Sequence, residues 1–319
     1  MFFKNLRLFQ LTEEFKYSQE DLESQLAEEL FTPCSNYDKS SLGWVSPMGD
    51  AAPELEAGEA PMLTHVVGDF IMLCAQRQER LLPASVVREA TEEKVAEIEA
   101  RQARKIYRKE KRDIQEQIFA RLLPQAFTRS QQLHAYIDRK NGLLVVNSAS
   151  APRAEELVNL LRDSLESLPV ALPATKTAPA AVLTHWLKSG KGSDRFQLNE
   201  DAELLNPRDA SNIVRYRGQD LHSEELTSHL EAGKQAKALG LGWNSVLHCV
   251  VADDLAIKRL QFEAIEEDRS GAGGQTPAQR FDQEFALMTL ELRGFLQALF
   301  TAFGGLDKPR PLARKNEED

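Results

Sequence analysis

The amino-acid sequence predicts an α+β protein in which antiparallel β meanders pack against helices and one long helix projects from the body. Three observations lead to this fold class. Asn141-Gly142 separates two apolar runs, and this dipeptide is typical of a two-residue hairpin turn. Three short apolar runs follow closely on one another over residues 236–262, as in a meander. Other segments repeat apolar residues every three or four positions, which is the period of an amphipathic helix.

The amino-terminal part predicts a strand, a helix and three short strands. The strand covers residues 3–11. The helix begins after Ser18, whose hydroxyl can cap it, with Asp21 placed as in a capping box. The short strands are residues 43–45, 63–67 and 70–75. The acidic segment 50–61 contains Pro and Gly and predicts a surface loop between the first two of these strands.

Residues 84–123 contain no Gly or Pro and consist mostly of good helix formers. They predict one helix, which begins after Pro83 and ends at Pro124. A helix of that length, at 1.5 Å per residue, would reach about 60 Å, which is more than a compact domain of this size can cover. We therefore expect this helix either to project from the body, which is the interpretation we adopt, or to break.

The rest of the chain predicts a hairpin (133–138 and 143–147), a helix (152–165) and a connecting region over 169–207 with one short helix near 180–188. After these come a strand (213–217), a helix (223–231), strands 236–241, 246–252 and 256–262, a Gly-rich loop (270–274) and a final helix (277–303). We interpret the order as five regions: an amino-terminal β-α-β part of the body (1–83), a projecting helical tip (84–130), a central α/β region (131–210), a carboxy-terminal β-α-β-β-β-α part (211–306) and a disordered tail (307–319).

Composition and charge narrow the classes of function. Of 319 residues, 39 are Lys or Arg and 49 are Asp or Glu, which makes the net charge −10. This balance excludes a wholly basic DNA wrapper, but positive charge confined to one surface remains compatible with nucleic acid. No apolar run approaches the roughly 20 residues that span a bilayer. Three scattered cysteines without a CxxC pair indicate reduced thiols. We therefore expect a cytoplasmic protein with no membrane partner.

Motifs for bond chemistry are missing from the sequence. It contains no G-x-x-x-x-G-K-[ST] phosphate loop, no G-x-G-x-x-G, no HExxH and no G-x-S-x-G. The six histidines show no metal-ligand spacing. Asp253-Asp254 is better explained as a turn between two strands than as a metal site. The sequence therefore predicts neither enzyme activity nor a cofactor.

Positive charge is concentrated in the predicted long helix. Residues 101–112 hold seven bases and one acid, Glu110. At about 100° per residue, five of the bases fall within an arc of roughly 100°, and Lys109 and Lys111 flank that arc. On the same projection Ile106 and Tyr107 lie on the opposite side of the helix. The five bases that form the stripe are Arg101, Arg104, Lys105, Arg108 and Arg112.

Two interpretations of this stripe stay open. It is either a solvated helix face that acids on a neighbouring element neutralise, or a ridge that binds phosphates by displacing their counterions. Arg215 and Arg217 alternate with Val214 and Tyr216 on a predicted strand, so both point to one face. Together with Gln219 they form a second candidate patch.

Aromatic residues point to surfaces for self-association. The final helix repeats Phe and Leu at helical spacing, including Phe285 and Phe295. Packing on its own sheet is the default explanation, and a share in a subunit interface is the alternative. Phe127 follows Pro124 just past the projecting helix, where it is either a local staple or a contact with another chain. All three Phe residues are candidate dimer contacts.

A series of short pieces, taken in order, carries a resemblance to a known family. The densest are Phe3-Lys4-Asn5-Leu6, Phe31-Thr32-Pro33-Cys34 and Gly43-Trp44-Val45, and later ones are Leu122-Leu123-Pro124, Ala126-Phe127, Gln219-Asp220-Leu221, Glu231-Ala232-Gly233-Lys234 and Arg280-Phe281-Asp282. Their order and number, rather than any single piece, resemble the bacterial recombination-associated RdgC family over nearly the whole chain.

The resemblance implies a ring-shaped homodimer that is closed by two contacts and holds duplex DNA in or against a positively lined hole. It also implies DNA binding with little sequence preference, association with the nucleoid and restraint of RecA-promoted recombination. A ring would reconcile an acidic outer surface with a basic lining. By position, Phe127 matches the aromatic of the tip contact, and Gln219 matches a polar residue on a finger that faces the hole. The family pattern has a base directly before that Gln, where this chain has Gly218.

We therefore predict a ring-forming, nucleoid-associated protein of the cytoplasm that occupies duplex DNA and performs no bond chemistry. Single-stranded DNA is a second candidate ligand. The candidate DNA contacts are Arg101, Arg104, Lys105, Arg108, Lys109, Lys111, Arg112, Arg215, Arg217, Gln219 and Lys234. The alternative is an adaptor that contacts RecA or a replication partner directly. A nuclease that uses Asp253-Asp254 ranks third.

Overall fold

Two antiparallel β-sheets and the helices packed on them make up the protein. The structure, a computed structural model, describes residues 2–53, 60–165, 167–193, 195–263, 275–308 and 310–311. These residues form thirteen strands and seven α-helices. The predicted α+β class and the antiparallel pairing are therefore confirmed. The predicted Gly-rich loop at 270–274 and residues 54–59 of the predicted acidic loop lie outside the described residues.

Sheet I has eight strands, all paired antiparallel. They are β1 (Arg7–Leu11), β2 (Ser40–Val45), β3 (Thr64–Val67), β4 (Phe70–Leu81), β5 (Phe127–Asp138), β6 (Leu143–Val146), β7 (Val170–Leu172) and β13 (Arg310–Pro311). Their order is β13-β7-β1-β6-β5-β4-β2, with β3 also paired to β4. β5 and β6 form the hairpin that Asn141-Gly142 predicted, with Gly142 at a positive φ of 61°.

The tail predicted to be disordered from residue 307 is ordered at its start. The Asp307 N–H donates to the Ala174 carbonyl at 2.8 Å, and β13 pairs with β7. The backbone groups of this segment therefore complete an edge of sheet I. Residues 309 and 312–319 of the predicted tail lie outside the described chain.

Sheet II is a five-stranded meander-like sheet from the carboxy-terminal part of the chain. Its strands are β8 (Phe196–Asn206), β9 (Asp209–Tyr216), β10 (Gln235–Trp243), β11 (Leu247–Ala252) and β12 (Ile257–Phe262), in the order β12-β11-β10-β8-β9. The sequence predicted β9 to β12 but left β8 inside a connecting region. Polar residues interrupt its apolar ones, and register shifts against β10 disturb the strict alternation that marks a half-buried strand.

The helices form layers against these sheets. They are α1 (Gln19–Leu26), α2 (Ala84–Gln102), α3 (Arg108–Leu122), α4 (Ala151–Ser164), α5 (Pro179–Ser189), α6 (Glu224–Glu231) and α7 (Pro277–Ala302). Ser18 caps α1, as its position predicted, and Ser223 caps α6 in the same way, each accepting a backbone N–H. Helices α1 and α4 share a core with one face of sheet I, while α7 shares a core with both sheets.

The central position of α7 decides the role of its aromatic face. Phe285 packs against Tyr136 of sheet I, and Phe295 packs edge-on against Trp243 of sheet II at 6.0 Å between ring centroids. Phe285 is 2% exposed and Phe295 is not exposed at all. Both rings are therefore used inside the chain, and neither offers surface to a second subunit. The default explanation, packing on the protein's own sheets, holds for them.

The single helix predicted over residues 84–123 is wrong, because the chain folds there into two helices, α2 and α3. We call this unit, residues 84–122, the helical hairpin. Val87, Ile114 and Ile118 are buried where the two helices meet. One straight helix would have left these apolar side chains in water, so their burial favours the break over continued helix. The predicted limits at Pro83 and Pro124 are confirmed.

The break lies at Ala103, which ends α2 in the left-handed conformation with φ 50° and ψ 36°. An L-residue with a Cβ is strained there, and helices usually place Gly at this position. We expect Ala103→Gly to raise the free energy of unfolding by roughly 0.5–1 kcal/mol, measured by urea denaturation. The matched control is Ala96→Gly in the exposed interior of α2, which should lower it by roughly 1 kcal/mol. A loss of stability in both variants would contradict the assignment of strain to Ala103.

Candidate nucleic-acid interface

The helical hairpin connects strands β4 and β5 at one end of sheet I. The β4–β5 ladder runs without interruption from Phe70 opposite Asp138 to Leu81 opposite Phe127, and the hairpin occupies the connection beyond it. Residues 76–81 and 127–132 are polar for most of their length, which predicts a two-stranded extension that leaves the core. The sheet therefore presents the hairpin at its end.

Two cations fix the root of the hairpin. The Arg80 guanidinium donates to the carbonyl oxygens of Leu123 and Ala126, both at 3.3 Å, and to that of Ser35 at 3.1 Å. The Lys39 ammonium lies 4.7 Å from the centroid of the Phe119 ring. Arg80 therefore ties the turn that follows α3 to the neighbouring loop that contains Ser35. Sequence reasoning missed Arg80, because its partners are backbone oxygens that leave no pattern in the sequence.

The bases predicted to form a stripe lie together at the far end of the hairpin. Arg101 is in the last turn of α2, Arg104 and Lys105 are in the connection, and the remaining four lie within the first five residues of α3. All are exposed. We call these seven residues the tip cluster: Arg101, Arg104, Lys105, Arg108, Lys109, Lys111 and Arg112. The bases are therefore concentrated in one place, but they surround a turn between two helices and do not form one face of a continuous helix.

Two members of the tip cluster have acidic partners. Arg104 donates to both carboxylate oxygens of Glu110, at 2.6 and 2.7 Å, and these hydrogen bonds lower the pKa of that carboxyl. Arg112 lies 3.6 Å from Glu116. The other five bases form no ion pair within the described chain. Both acids belong to α3, so the neutralisation that one interpretation of the stripe requires reaches two of the seven bases as ion pairs.

The position of the cluster also opposes the dipole of α3. Backbone N–H groups give the start of a helix a partial positive charge, which favours acids there. Here Arg108, Lys109, Lys111 and Arg112 occupy this end, no side chain caps it, and Glu110 is the acid of the first turn. Each misplaced base costs roughly 0.3–1 kcal/mol at a helix end. An anion bound at the tip would relieve this repulsion.

The second candidate patch, around Arg215 and Arg217, is only partly available for a ligand, because Arg215 has an acidic partner. The Arg215 Nε donates to Glu203 at 2.9 Å, and Glu203 also holds Lys237 at 3.4 Å. Arg217 and Gln219 are exposed on either side of Gly218, whose φ of 58° turns the chain there. Arg217 forms no ion pair with any described residue. We call residues 215–219 the finger segment, and Arg217 is its available cation.

Lys234 does not share that surface. Its side chain is buried, with 8% of the residue exposed, and its ammonium donates to the side-chain oxygen of Asn212 and, at 3.5 Å, to the Asn212 carbonyl. A buried and partnered ammonium cannot contact phosphate unless this segment opens. The tip cluster lies on the helical hairpin that joins two strands of sheet I, whereas the finger segment begins in β9 of sheet II. No hydrogen bond or ion pair joins the two in the described residues.

Phe127 lies at the root of the hairpin and not at its tip. It is the first residue of β5, its side chain is 85% exposed, and it faces the same way as Leu81, its directly opposite partner on β4. Leu81 is 44% exposed. These two side chains form an exposed apolar pair beside the helical hairpin. As a local staple, Phe127 would be buried against its own chain.

The Asp253-Asp254 turn makes contacts that stabilise the fold. Asp254 pairs with Arg7 at 2.6 Å and accepts the Ala256 N–H at 3.0 Å. Burial and the adjacent Asp254 raise the pKa of Asp253. Over the parts of the chain that the structure describes, no group of three or more His, Cys, Asp and Glu residues is arranged to hold a metal ion. Among the same residues, no helix is long and apolar enough to cross a bilayer.

One residue of the tip escaped the sequence analysis. On a continuous helix, Tyr107 would lie opposite the basic stripe. Because the helix breaks, Tyr107 lies in the turn itself, directly before α3, and is 78% exposed among the bases of the tip cluster. The available signal was the composition of the run Arg104-Lys105-Ile106-Tyr107-Arg108-Lys109, in which an aromatic is flanked by bases on both sides.

Comparison with known proteins relates the whole chain to one family. A family model described as "Putative exonuclease, RdgC" matches residues 1–306. The "Recombination-associated protein RdgC" of Pseudomonas putida (strain GB-1) is 40% identical over 311 residues, which cover 97% of this chain and 99% of that protein. The protein of the same name from Aeromonas hydrophila is 40% identical over 306 residues, covering 96% of this chain and 98% of its own length.

Proposed function

Because the chain belongs to the RdgC family of recombination-associated proteins, we propose that it binds DNA without sequence preference and restrains RecA-promoted recombination by occupying the DNA. The observation that carries this proposal is the tip cluster. Five of its seven bases form no ion pair in the described chain, in a protein whose net charge is −10. Bases left unpaired at the end of a projection match the regular negative charge of a phosphate backbone.

The proposed action requires no bond chemistry. A protein that neutralises phosphates releases condensed counterions, and this supplies affinity that does not depend on base sequence. A protein bound in this way would exclude a recombinase from the same stretch of DNA. We place it in the cytoplasm, associated with the nucleoid, and propose Arg217 and Gln219 of the finger segment as additional DNA contacts.

We further propose that the active form is a ring-shaped homodimer. The exposed pair of Phe127 and Leu81 supports one contact between subunits, since a large apolar ring that its own chain leaves in water gains most by pairing with a second copy. A closed ring would turn the bases inward and the acidic remainder outward. Phe285 and Phe295 have no part in this proposed contact.

We expect Phe127→Ala to raise the dimer dissociation constant by roughly 10²- to 10⁴-fold, because two rings per dimer lose apolar burial of roughly 1.5–3 kcal/mol each. Sedimentation equilibrium measures the change. The matched control is Met62→Ala, which removes an exposed apolar side chain away from Phe127 in sequence and should leave dissociation unaltered. Equal dimer stability in the wild type and Phe127→Ala would leave Phe127 without a role in assembly.

The experiment that tests the proposed function measures binding of random-sequence duplex by fluorescence anisotropy across a salt series. We expect tight binding whose logarithm falls steeply and linearly with the logarithm of salt concentration, with little difference between sequences. Absence of binding by folded protein would overturn the proposal and favour an adaptor that contacts RecA or a replication partner. Shortening of the labelled strand with Mg²⁺ present would instead support the exonuclease description.

A further inference from the structure

Tyr107 differs from most tyrosines of this chain because its side chain lies in solvent, where, among the described residues, only the nearby charge of Arg104 acts on it. Tyr136 and Tyr216 are buried in the core, and the Tyr17 hydroxyl donates to the Leu165 carbonyl at 2.9 Å. Tyr107 is 78% exposed, and no described residue hydrogen-bonds to its hydroxyl or stacks on its ring. Exposing an aromatic ring forfeits the apolar burial that would stabilise the fold. The fold therefore gives no reason for an aromatic residue at this position.

Tyr107 lies outside both helices, in the turn that joins them. Tyr107 is the residue before α3 and has an extended conformation, with φ −85° and ψ 163°. The turn around it is held from both sides, since the Ile106 N–H donates to Glu99 at 2.7 Å and Arg104 binds Glu110. A rigid turn presents the ring in a defined place and lowers the entropy lost when a ligand binds.

The surroundings of the ring select a ligand class. Arg104 and Lys105 precede Tyr107, Arg108 and Lys109 follow it, and all four are exposed. A flat π surface among cations matches a ligand that alternates planar rings with negative charges. Single-stranded nucleic acid has that chemistry, because each unpaired base offers a face for stacking while phosphates lie on either side. In an intact duplex the bases stack on one another and their faces are closed to a side chain.

We propose that Tyr107 is a stacking platform for an unpaired base, so that the tip of the helical hairpin binds single-stranded DNA. This inference rests on the proposed function and names the residue through which the tip would recognise an unpaired base. The bases of the tip cluster bind phosphates in single and double strands alike, and the ring adds affinity only where a base is unpaired. The protein would thereby compete for the same form of DNA on which a recombinase assembles.

The test compares three labelled ligands of equal length by anisotropy: a single strand, the same strand with abasic sites throughout, and a duplex. Stacking on one base is worth roughly 5- to 150-fold in affinity. We expect Tyr107→Ala to weaken single-strand binding by that factor and to leave abasic-strand and duplex binding within about twofold. Tyr107→Phe keeps the ring and should bind like the wild type.

The matched control is Tyr37→Ala. Tyr37 is 87% exposed, but its neighbours in sequence are Asn36 and Asp38 and not bases. This variant should bind all three ligands normally. A second measurement places 2-aminopurine in the single strand. Its fluorescence should change when wild type or Tyr107→Phe binds, and remain unchanged with Tyr107→Ala at saturating protein.

The remaining outcomes would each overturn the stacking role, and one of them would overturn the proposed function as well. If Tyr107→Ala weakens the abasic strand as much as the normal one, or leaves single-strand binding intact, the stacking role is overturned while DNA binding stands. If the wild type binds none of the three ligands, the proposed function fails and the stacking role fails with it. An unchanged far-ultraviolet circular dichroism spectrum confirms that each variant is folded.

Discussion

Reversing the charge of three tip residues, Arg101, Lys105 and Arg108, to Glu should weaken duplex binding on the order of 10²- to 10³-fold near 0.1 M salt. These three have no ion pair in the described chain, so their replacement removes phosphate contacts without breaking a link in the protein. Each lost contact should also reduce the slope of log affinity against log salt by about 0.9. Anisotropy across a salt series measures both quantities.

Arg104 is left in place in this variant for a structural reason. Its bidentate contact with Glu110 closes the turn between α2 and α3, and Glu at position 104 would place two carboxylates together. The resulting change in the turn would make a loss of affinity uninterpretable. The choice of the three unpaired bases therefore separates the electrostatic role of the tip from its fold.

The matched control reverses three exposed bases elsewhere, namely Lys16, Lys191 and Arg208. Both triple variants change the net charge by the same amount, so any effect of total charge is common to them. We expect the control to retain most of the affinity and all of the salt slope. Equal losses in the two variants would show that overall charge, and not the tip cluster, governs binding.

The second prediction concerns the ion pair that joins α7 to sheet I. Arg293 donates to both carboxylate oxygens of Asp138, at 2.7 and 2.9 Å, and to Asp69 at 3.3 Å. Its guanidinium also lies 4.0 Å from the centroid of the Phe70 ring. Asp138 is 2% exposed and accepts the N–H of Asn141 in the hairpin turn. One buried carboxylate thus holds both the β5–β6 turn and the central helix.

We expect Arg293→Met to lower the free energy of unfolding by roughly 3–5 kcal/mol, because it leaves the Asp138 carboxylate buried without its counterion. Urea denaturation measures the loss. Met preserves most of the apolar volume of the side chain, so the effect reports the missing charge rather than a cavity.

Two controls accompany this variant. Lys94→Ala removes an exposed ion pair with Glu97 and should leave the free energy of unfolding almost unchanged, because solvent screens that pair. Adding Asp138→Asn to Arg293→Met should recover part of the lost stability, since no buried charge then lacks a partner. A loss below about 1 kcal/mol for Arg293→Met would show that Asp138 does not depend on Arg293 as its buried counterion.

Elements that depend on local chemistry were predictable from the sequence. The serine caps at Ser18 and Ser223, the turn at Asn141-Gly142 and the proline limits at Pro83 and Pro124 are each formed by a few neighbouring residues. A cap or a tight turn is stabilised within one turn of chain, so its residues appear together in the sequence. The α+β class followed from the order of such elements.

Features that depend on distant parts of the chain were not predictable in the same way. No Gly or Pro marks the break at Ala103, because it is driven by burial of Val87 against Ile114 and Ile118. Strand β8 is defined by its neighbours in sheet II more than by its own pattern. In such cases packing overrides a local preference that is worth less than about 1 kcal/mol per residue.

The sequence by itself determined the family resemblance, the fold class and the existence of a concentrated group of bases, because composition and order are properties of the chain alone. Only the tertiary structure decided which of those side chains are available. It gathered the bases and Tyr107 at the end of a helical hairpin, left Phe127 in solvent, and enclosed Lys234, Phe285 and Phe295. Exposure depends on which distant segments cover a residue, and only packing of the whole chain settles that.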